Sequence, residues 1–164
     1  MIRQINQDNG LEVRQVLAIY NRAIRRTTDN YTEQEVTFHE MTRRIKDKQV
    51  QGIPFFVCIT AGEVTGFATY GAFRAPSAYR FTVEHSIYVH PTHRNKGIAS
   101  RLMQELIDAA TENGMRAMIG VIDSQNSGSI HLHEKMGFEF KGKLEKVGYK
   151  FGNWLDVVLF ERHL

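Results

Sequence analysis

The sequence predicts an α/β (α+β) domain in which a mixed sheet carries helices on both faces. Strand-like and helix-like patterns follow one another in the order β-α-α-β-β-β-α-β-α-β-β. The segment 82–122 has the strand, helix, strand order of a crossover unit, whereas the rest of the chain is rich in hairpin signals. Neither an internal repeat nor a linker-like tract interrupts the 164 residues, so 1–164 is expected to form a single domain.

The first half of the chain is predicted to contain two helices and four strands. The box Asn9-Gly10-Leu11-Glu12 is typical of a helix start, and apolar residues follow it at helical spacing as far as Ile24. Ala61-Gly62-Glu63 separates two β-rich runs and indicates a hairpin. The expected elements are a strand at 2–5, a helix at 11–24, a weaker helix opening at 37–40, and strands at 53–60, 64–70 and 82–89.

The second half is predicted to contain two helices and three strands. Asn113-Gly114 ends an amphipathic pattern, and Gly137 ends a shorter one. The run 115–122 is apolar apart from Arg116, which predicts a strand that is buried on both faces. The expected elements are helices at 98–112 and 127–136 and strands at 115–122, 138–147 and 153–162.

Composition argues against several classes of protein. Twenty-one Lys and Arg against eighteen Asp and Glu leave a net charge of +3, and the basic residues are scattered, which argues against nucleic-acid binding. One cysteine cannot form a disulfide framework. No stretch reaches the roughly 18 consecutive apolar residues of a membrane span, and the N-terminus lacks the apolar core of a secretory signal. The expectation is a soluble, cytoplasmic domain without a membrane partner.

The most informative segment is the loop 89–97, which joins a strand to the helix at 98–112. The first N–H groups of a helix lack partners and lie at the positive end of its dipole, so they suit phosphate groups. Gly97 lets a ligand approach the backbone, and Arg94 and Lys96 add positive charge. The loop matches neither a P-loop nor a G-x-G-x-x-G fingerprint. A capped surface helix with two solvated cations is the alternative.

Four motifs together give the chain a specific resemblance. Arg94-x-x-Gly97-x-Ala99, after a Val-x-Pro strand end, is similar to the acetyl-CoA pyrophosphate motif of the GNAT N-acetyltransferases. A second stretch resembles another motif that this family has on the cofactor side, namely Asn126-x-x-Ser129-x-x-Leu132-His133-x-x-x-Gly137-Phe138. Two further stretches are similar to the phosphinothricin and methionine sulfoximine acetyltransferases. They are Tyr79-x-x-Thr82-Val83-Glu84-x-Ser86-Ile87-Tyr88-Val89 and Gly148-Tyr149-Lys150-x-Gly152-x-Trp154-x-Asp156-Val157. The resemblance covers nearly the whole chain and implies the GNAT fold, with a mixed, mostly antiparallel sheet flanked by helices.

The resemblance implies acetyl-CoA as co-substrate and assigns residues to it. The strand that ends at Val89 is expected to part from its neighbour, so that pantetheine pairs with the exposed edge. Asn126 is expected to contact the cofactor near its thiol, and the amides of 95–100 are expected to hold the pyrophosphate. The residues implied in cofactor binding are Ile87, Tyr88, Val89, Arg94, Asn95, Lys96, Gly97, Ile98, Ala99, Ser100 and Asn126.

Two residues are candidates for catalysis. An amine is mostly protonated at neutral pH, so it must lose a proton before it attacks the thioester. Glu84 lies within a β-branched strand, where a carboxylate faces either solvent or a site, and the resemblance makes it the general base. His133 stands where many GNAT proteins have a tyrosine thought to protonate the leaving thiolate. It is expected to act as that acid, to hydrogen-bond the cofactor, or to be a passive helix residue.

The acceptor site is expected to involve Tyr31, Arg74 and Tyr79. Arg74 and Tyr79 fall in a segment that borders the acceptor pocket in the resembling branch, and Arg74 could bind a substrate carboxylate. That branch often has a second basic residue where this chain has Pro76. The loop 27–36, which contains Tyr31, is expected to supply another wall.

The main hypothesis is an acetyl-CoA-dependent N-acetyltransferase that acts on a small amino-acid-like amine such as phosphinothricin or methionine sulfoximine. Direct transfer in a ternary complex is expected, because the motifs contain no cysteine to carry an acyl group. No metal is expected, since His90-x-x-His93 and His131-x-His133 lack further well-spaced ligands. The alternatives are an acetyltransferase for a peptide or polyamine and a non-catalytic acyl-CoA sensor. Homodimers are common in the resembling branch, so a homodimer is expected.

Overall fold

Seven strands and four α-helices make up the chain in the computed structural model, which describes residues 1–164. In chain order they are β1 (Ile2–Gln4), α1 (Gly10–Arg26), α2 (Phe38–Val50), β2 (Phe55–Thr60), β3 (Glu63–Ala72), β4 (Thr82–Val89), α3 (Ile98–Glu112), β5 (Ala117–Asp123), α4 (Ser127–Lys135), β6 (Glu139–Lys150) and β7 (Asn153–His163). The predicted order of elements is confirmed. None of the helices has the combination of length and apolar character that crossing a membrane would require.

All seven strands form one sheet in the order β1-β2-β3-β4-β5-β7-β6. Every neighbouring pair is antiparallel except β4 and β5, which are parallel, so the expected mixed, mostly antiparallel sheet is confirmed. The parallel pairing joins only Thr82–Glu84 to Ala117–Ile119. Beyond Glu84 the two strands diverge, and β4 has an unpaired edge in the middle of the sheet.

Helices cover both faces of the sheet, as the sequence predicts. One core lies between the sheet and α1 with α2, and it includes Ile24, Ile45 and Phe67. The other lies between the sheet and α3 and includes Leu102 and Met118. Full burial of such side chains contributes about 1.5–3 kcal/mol each. Because strand side chains alternate, even-numbered residues of β4 face α1 and α2, and odd-numbered ones face α3 and α4.

The helix N-termini are of two kinds. The side chains of Asn9, Thr37 and Asn126 accept hydrogen bonds from the first amides of α1, α2 and α4. Helix α3 is preceded by Gly97, and no side chain caps it. Its first N–H groups therefore lack an acceptor from the protein, and they open into the gap beside β4.

Strand β5 differs from its prediction. It begins at Ala117 rather than at Met115, because the Met115 amide donates to the Ala110 carbonyl and closes the turn after α3. Nor is it buried on both faces, since Val121 is 43% exposed. Val121 lies where β4 has moved away, so one side of the strand borders a cleft instead of a neighbour.

Candidate active site

The divergence of β4 and β5 opens a cleft of about 850 Å³. Most residues predicted to bind the cofactor or to catalyse meet there, although they come from distant parts of the chain. The predicted residues that line it are Tyr31, Glu84, Ile87, Tyr88, Val89, Arg94, Asn95, Gly97, Ile98, Ala99, Ser100, Asn126 and His133. Lys96, Arg74 and Tyr79 do not line it.

The uncapped start of α3 forms one end of the cleft. Asn95 and Gly97 both have positive φ, of 60° and 72°, and this turn directs the first amides of the helix into the cleft. A Cβ atom on Gly97 would meet no atom within 4 Å, so the space above its backbone is open. The amides of Ile98–Ser100 and the positive end of the helix dipole face that space. The local geometry fits an anionic group such as a pyrophosphate.

The free edge of β4 forms the long wall of the cleft. Phe73 N donates to Thr82 O and His90 N to Thr65 O, so the even-numbered residues of this strand direct their backbone polar groups toward β3. The odd-numbered residues Ile87 and Val89 direct theirs into the cleft. Tyr88 therefore contributes through its side chain, whose hydroxyl accepts a hydrogen bond from the Asn30 amide at 3.1 Å.

Asp29, which no sequence pattern indicated, contacts two of the predicted cofactor residues in the cleft, Arg94 and Asn126. Its Oδ2 lies 3.2 Å from the Arg94 guanidinium, and its Oδ1 accepts a hydrogen bond from Asn126 Nδ2 at 2.8 Å. The side chain of Asn126 also caps α4 through Ser129 N. Both side chains expected to serve the cofactor thus already have a protein partner, and any anion that bound to Arg94 would compete with Asp29.

Glu84 stands at the point where β4 leaves β5. It is the last residue of β4 that pairs with β5, and its side chain is half-buried. Burial raises the pKa of this carboxyl, and the positive charge of Arg74 partly opposes that rise. A carboxylate with a raised pKa beside an open cleft is the kind of group that serves as a general base.

His133 is almost fully buried and is held at both ring nitrogens. Its Nδ1 lies 2.6 Å from Ser129 O, which can only accept, so Nδ1 carries the hydrogen. Its Nε2 lies 2.8 Å from Nε2 of His85. Burial lowers the pKa of both imidazoles, so the pair is neutral and His85 donates to His133. In this state Nε2 of His133 has no proton to give.

Gly120 of β5 makes room for this histidine pair. A Cβ atom built on Gly120 would lie 2.7 Å from His133 Nε2 and 3.1 Å from His85 Nε2. The sequence analysis did not single out His85. The sequence could have indicated His85 through its odd-numbered position in β4, because odd-numbered side chains of this strand point toward α4.

The loop between α1 and α2 is fastened over the cleft by two side chains. The Tyr31 hydroxyl lies 3.0 Å from Asp123 Oδ2 and 3.3 Å from Asp156 O. Burial and these neighbours raise the pKa of Tyr31. The buried Lys150 ammonium donates to the carbonyls of Thr27 and Asn30. Tyr31 therefore lines the cleft with its hydroxyl engaged in holding the loop, and its predicted contact with the acceptor stays a prediction.

The two predicted acceptor residues of the segment 73–81 lie on the surface. The Arg74 guanidinium lies 5.6 Å from the centre of the Phe73 ring, and the Tyr79 ring contacts the same ring edge-on. Tyr79 is 44% exposed. Arg74 nevertheless lies near enough to Glu84 for its charge to lower the pKa of that carboxyl.

The histidine motifs do not assemble a metal site. No group of three or more His, Cys, Asp or Glu side chains is arranged to hold a metal ion. His90 and His93 instead share the Thr92 hydroxyl, at 2.8 and 3.0 Å.

Comparison with known proteins agrees with this geometry. The model of the acetyltransferase (GNAT) family matches residues 16–138. The L-methionine sulfoximine/L-methionine sulfone acetyltransferase of Pseudomonas aeruginosa is 41% identical over 150 residues, which cover 91% of this chain and 87% of the relative.

Two solved structures share the fold over the whole chain. A GNAT superfamily phosphinothricin acetyltransferase from Sinorhizobium meliloti, in complex with acetyl-CoA, has a TM-score of 0.94 at 36% identity, with 100% of this chain and 88% of that one covered. The ribosomal-protein-alanine N-acetyltransferase of Brucella melitensis has a TM-score of 0.96 at 35% identity, with coverages of 100% and 99%. These relatives are N-acetyltransferases named for different acceptors. The chain belongs to the GNAT family of acetyltransferases.

Proposed function

We propose that this protein transfers the acetyl group of acetyl-CoA to the amine of a small amino-acid-like acceptor, such as phosphinothricin or methionine sulfoximine. The observation that carries the proposal is Glu84, a half-buried carboxylate with a raised pKa at the point of the cleft where β4 and β5 part, with the cation Arg74 near it. The named substrates of the Pseudomonas aeruginosa and Sinorhizobium meliloti relatives are molecules of this class.

The cleft has the donors that acetyl-CoA needs. The amides of Ile98–Ser100 would hold the pyrophosphate, with Arg94 beside them once it is released from Asp29. The free backbone groups of Ile87 and Val89 would pair with the amides of the pantetheine. Acetyl-CoA supplies the acetyl group as an activated thioester.

Glu84 supplies the base. A protonated amine cannot attack, so the Glu84 carboxylate would accept its proton, directly or through one water. The raised pKa of Glu84, caused by its burial, makes the carboxylate a stronger base for this proton transfer. Cys58 is buried in the core and lies outside the cleft, which favours direct attack in a ternary complex over an acyl-enzyme.

His133 fits a supporting role better than that of a direct acid. Its Nε2 accepts from His85, so protonation of the thiolate by His133 would need a proton to arrive through His85. The pair shapes the base of the cleft where the thioester would lie, next to Gly120. We assign it to the orientation of the bound thioester.

A peptide acceptor is the alternative that the Brucella melitensis relative raises. A peptide N-terminus carries no free carboxylate next to its amine, whereas Arg74 is a cation near Glu84. This charge favours a free amino acid, whose carboxylate would pair with Arg74.

The proposal includes a cytoplasmic homodimer. The β6–β7 hairpin exposes a group of large apolar side chains, and Trp154 is 65% exposed. The Tyr149 and Trp154 rings contact each other, exposed apolar side chains of this kind are typical of an interface, and a second copy of the chain is the occupant that we propose. The members of this hairpin patch are Leu144, Val147, Tyr149, Phe151 and Trp154. The one cysteine is unpaired, so folding needs no oxidising compartment.

A matched pair of acceptors tests the proposal. The native protein should turn over phosphinothricin with a kcat/KM roughly tenfold to hundredfold higher than its carboxamide, because a charge-assisted pair with Arg74 is lost in the amide. Arg74→Ala should remove the preference, and Arg116→Ala, a change in an exposed arginine outside the cleft, should keep it. Equal turnover of acid and amide by the native protein would reject the pairing with Arg74 and favour a peptide or polyamine acceptor.

A further inference from the structure

A second cavity lies on the other side of Glu84. It has a volume of about 310 Å³, lies between α2 and the face of the sheet that α2 covers, and is partly open to solvent. The inward side chains of α2 and the even-numbered side chains of β4 line it, and Glu84 and Ser86 belong to both this cavity and the cleft. The carboxylate that would take the proton of the acceptor therefore also lines this second cavity.

One end of this cavity holds a cation without an anionic partner. The Lys48 ammonium donates one hydrogen bond, to Tyr70 O at 2.5 Å, and can donate two more. Burial lowers the pKa of Lys48, and no neighbouring carboxylate raises it. The other cation of the cavity, Arg44, is paired with Glu40 and also donates to the Tyr20 hydroxyl. Lys48 is thus the cation of this cavity that has unused hydrogen-bond donors.

The distance from Lys48 to Glu84 suits a small molecule. A Cβ atom built on Gly71 would lie 3.7 Å from Lys48 Nζ, and Gly71 is the cross-strand partner of Glu84. Since cross-strand Cβ atoms lie about 5 Å apart, Lys48 Nζ lies within roughly 9 Å of the Glu84 Cβ. In phosphinothricin and methionine sulfone, three carbon atoms separate the amine from the phosphorus or sulfur that bears the oxygens.

We infer that Lys48 is a specificity-determining residue that binds the phosphinyl or sulfonyl oxygens of the acceptor side chain; this rests on the proposed function. The aromatic walls contributed by Phe67 and Tyr88 would contact the aliphatic part of the acceptor. The acceptor then meets two cations, Arg74 at its carboxylate and Lys48 at its side-chain oxygens.

Acceptors with and without side-chain oxygens test this assignment. We would measure kcat/KM of the native protein, Lys48→Met and Lys46→Met with phosphinothricin, methionine sulfone and norleucine. Lys46 lies on the exposed side of α2 and is the matched control. In Lys48→Met the values for the two oxygen-bearing acceptors should fall roughly tenfold to hundredfold, and that for norleucine should stay within about twofold of native. Lys48→Arg should recover part of the loss.

The outcomes separate this inference from the proposed function. If Lys48→Met lowers kcat/KM equally for all three acceptors, or for none of them, Lys48 does not bind the side-chain oxygens. An equal loss would instead indicate that Lys48 only supports the backbone at Tyr70, and a lowered melting temperature would accompany it. If the native protein acetylates none of the three acceptors, the proposed function fails and this assignment fails with it.

Discussion

The role that we propose for Glu84 depends on its place in strand β4. Its even-numbered position turns the side chain toward the second cavity, and the end of the β4–β5 pairing leaves it beside the cleft. Partial burial then raises its pKa. A glutamate on an edge strand, where water surrounds the carboxylate, would lack the burial that raises the pKa of Glu84.

Replacement of Glu84 by glutamine tests its role as the base. Glu84→Gln should lower kcat about 10²–10⁴-fold, because glutamine has a similar shape but accepts no proton. Calorimetry should show an unchanged Kd for acetyl-CoA, since the start of α3 and the β4 edge are untouched. A variant with native kcat at neutral pH, with chemistry as the slow step, would remove Glu84 from the mechanism.

The pH dependence gives a second test of the same residue. The protonated carboxyl is inactive as a base, so native kcat should rise with pH through the pKa of Glu84, which lies above its ordinary value of 4.5. Glu84→Gln should lack this rise and should recover part of its loss at high pH, where free amine is abundant. A native profile that is flat from pH 4 to 8 would contradict the assignment.

Arg94 and Asp29 should have opposite effects on cofactor binding. Arg94→Ala should raise the Kd of acetyl-CoA roughly tenfold to hundredfold, as expected for a lost charge-assisted contact. Asp29→Asn should lower it up to about fivefold, because the Asp29 carboxylate competes with the pyrophosphate and the exposed ion pair it forms with Arg94 contributes about 0.2–1 kcal/mol. Calorimetric titration with acetyl-CoA measures both. A Kd raised equally by the two changes would show that Asp29 supports the site rather than opposing the ligand.

At the scale of elements, the α1–α2 loop depends on groups far away in sequence. Lys150, at the end of β6, donates to two carbonyls of this loop, and Tyr31 is inserted against β5 and β7. A Cβ atom on Gly148 would lie 2.4 Å from the Tyr31 ring, so the hairpin and the loop are closely packed. One wall of the cleft is therefore held by the C-terminal hairpin.

Lys150→Met should loosen this wall. The carbonyls of Thr27 and Asn30 would lose a charged donor, which costs about 1.5–3 kcal/mol in the free energy of unfolding. Urea denaturation should show that loss, whereas Lys146→Met, in an exposed position of the same strand, should change the free energy by less than about 0.5 kcal/mol. Equal stability of the two variants would contradict the role given to Lys150.

Patterns of neighbouring residues predicted the local structure, whereas contacts between distant residues that share no motif were missed. The cap at Asn9 and the turn at 61–63 are local patterns, and the structure confirms both. The Asp29–Arg94 pair joins residues 65 positions apart, and the His85–His133 pair joins residues 48 apart. Nothing in the spacing of these residues indicates that they meet. The residues of the start of α3 were found because a glycine and an arginine there form a recognisable motif.

At the scale of the whole molecule, β4 lies between the cleft and the second cavity. Its free edge faces the cleft that fits the cofactor, and its even-numbered side chains face the second cavity. Glu84 lies where the two meet. In the function that we propose, donor and acceptor would approach from different sides of this strand, and the amine and the thioester would meet at the Glu84 carboxylate.

The hairpin patch should make the protein a dimer. Sedimentation velocity of the native chain should give about twice the mass of 18.9 kDa, and Trp154→Glu should give the monomer, because a charge placed in an apolar interface costs several kcal/mol. Leu11→Glu, a change in an apolar residue that is 62% exposed at the start of α1, should stay dimeric. A native monomer at micromolar concentration would reject the dimer.

The central claim is acetyl transfer to a small amino-acid-like amine, and direct detection of the product tests it. The native protein, acetyl-CoA and one acceptor at a time would be incubated, and N-acetyl products would be identified by mass spectrometry alongside release of the CoA thiol. The acceptors would be phosphinothricin, methionine sulfone, an alanine-terminated peptide and a polyamine. We expect N-acetylated phosphinothricin and methionine sulfone with equimolar thiol, and little product from the peptide or the polyamine. Acetylation of the peptide or the polyamine in preference to both amino-acid analogues would contradict the claim.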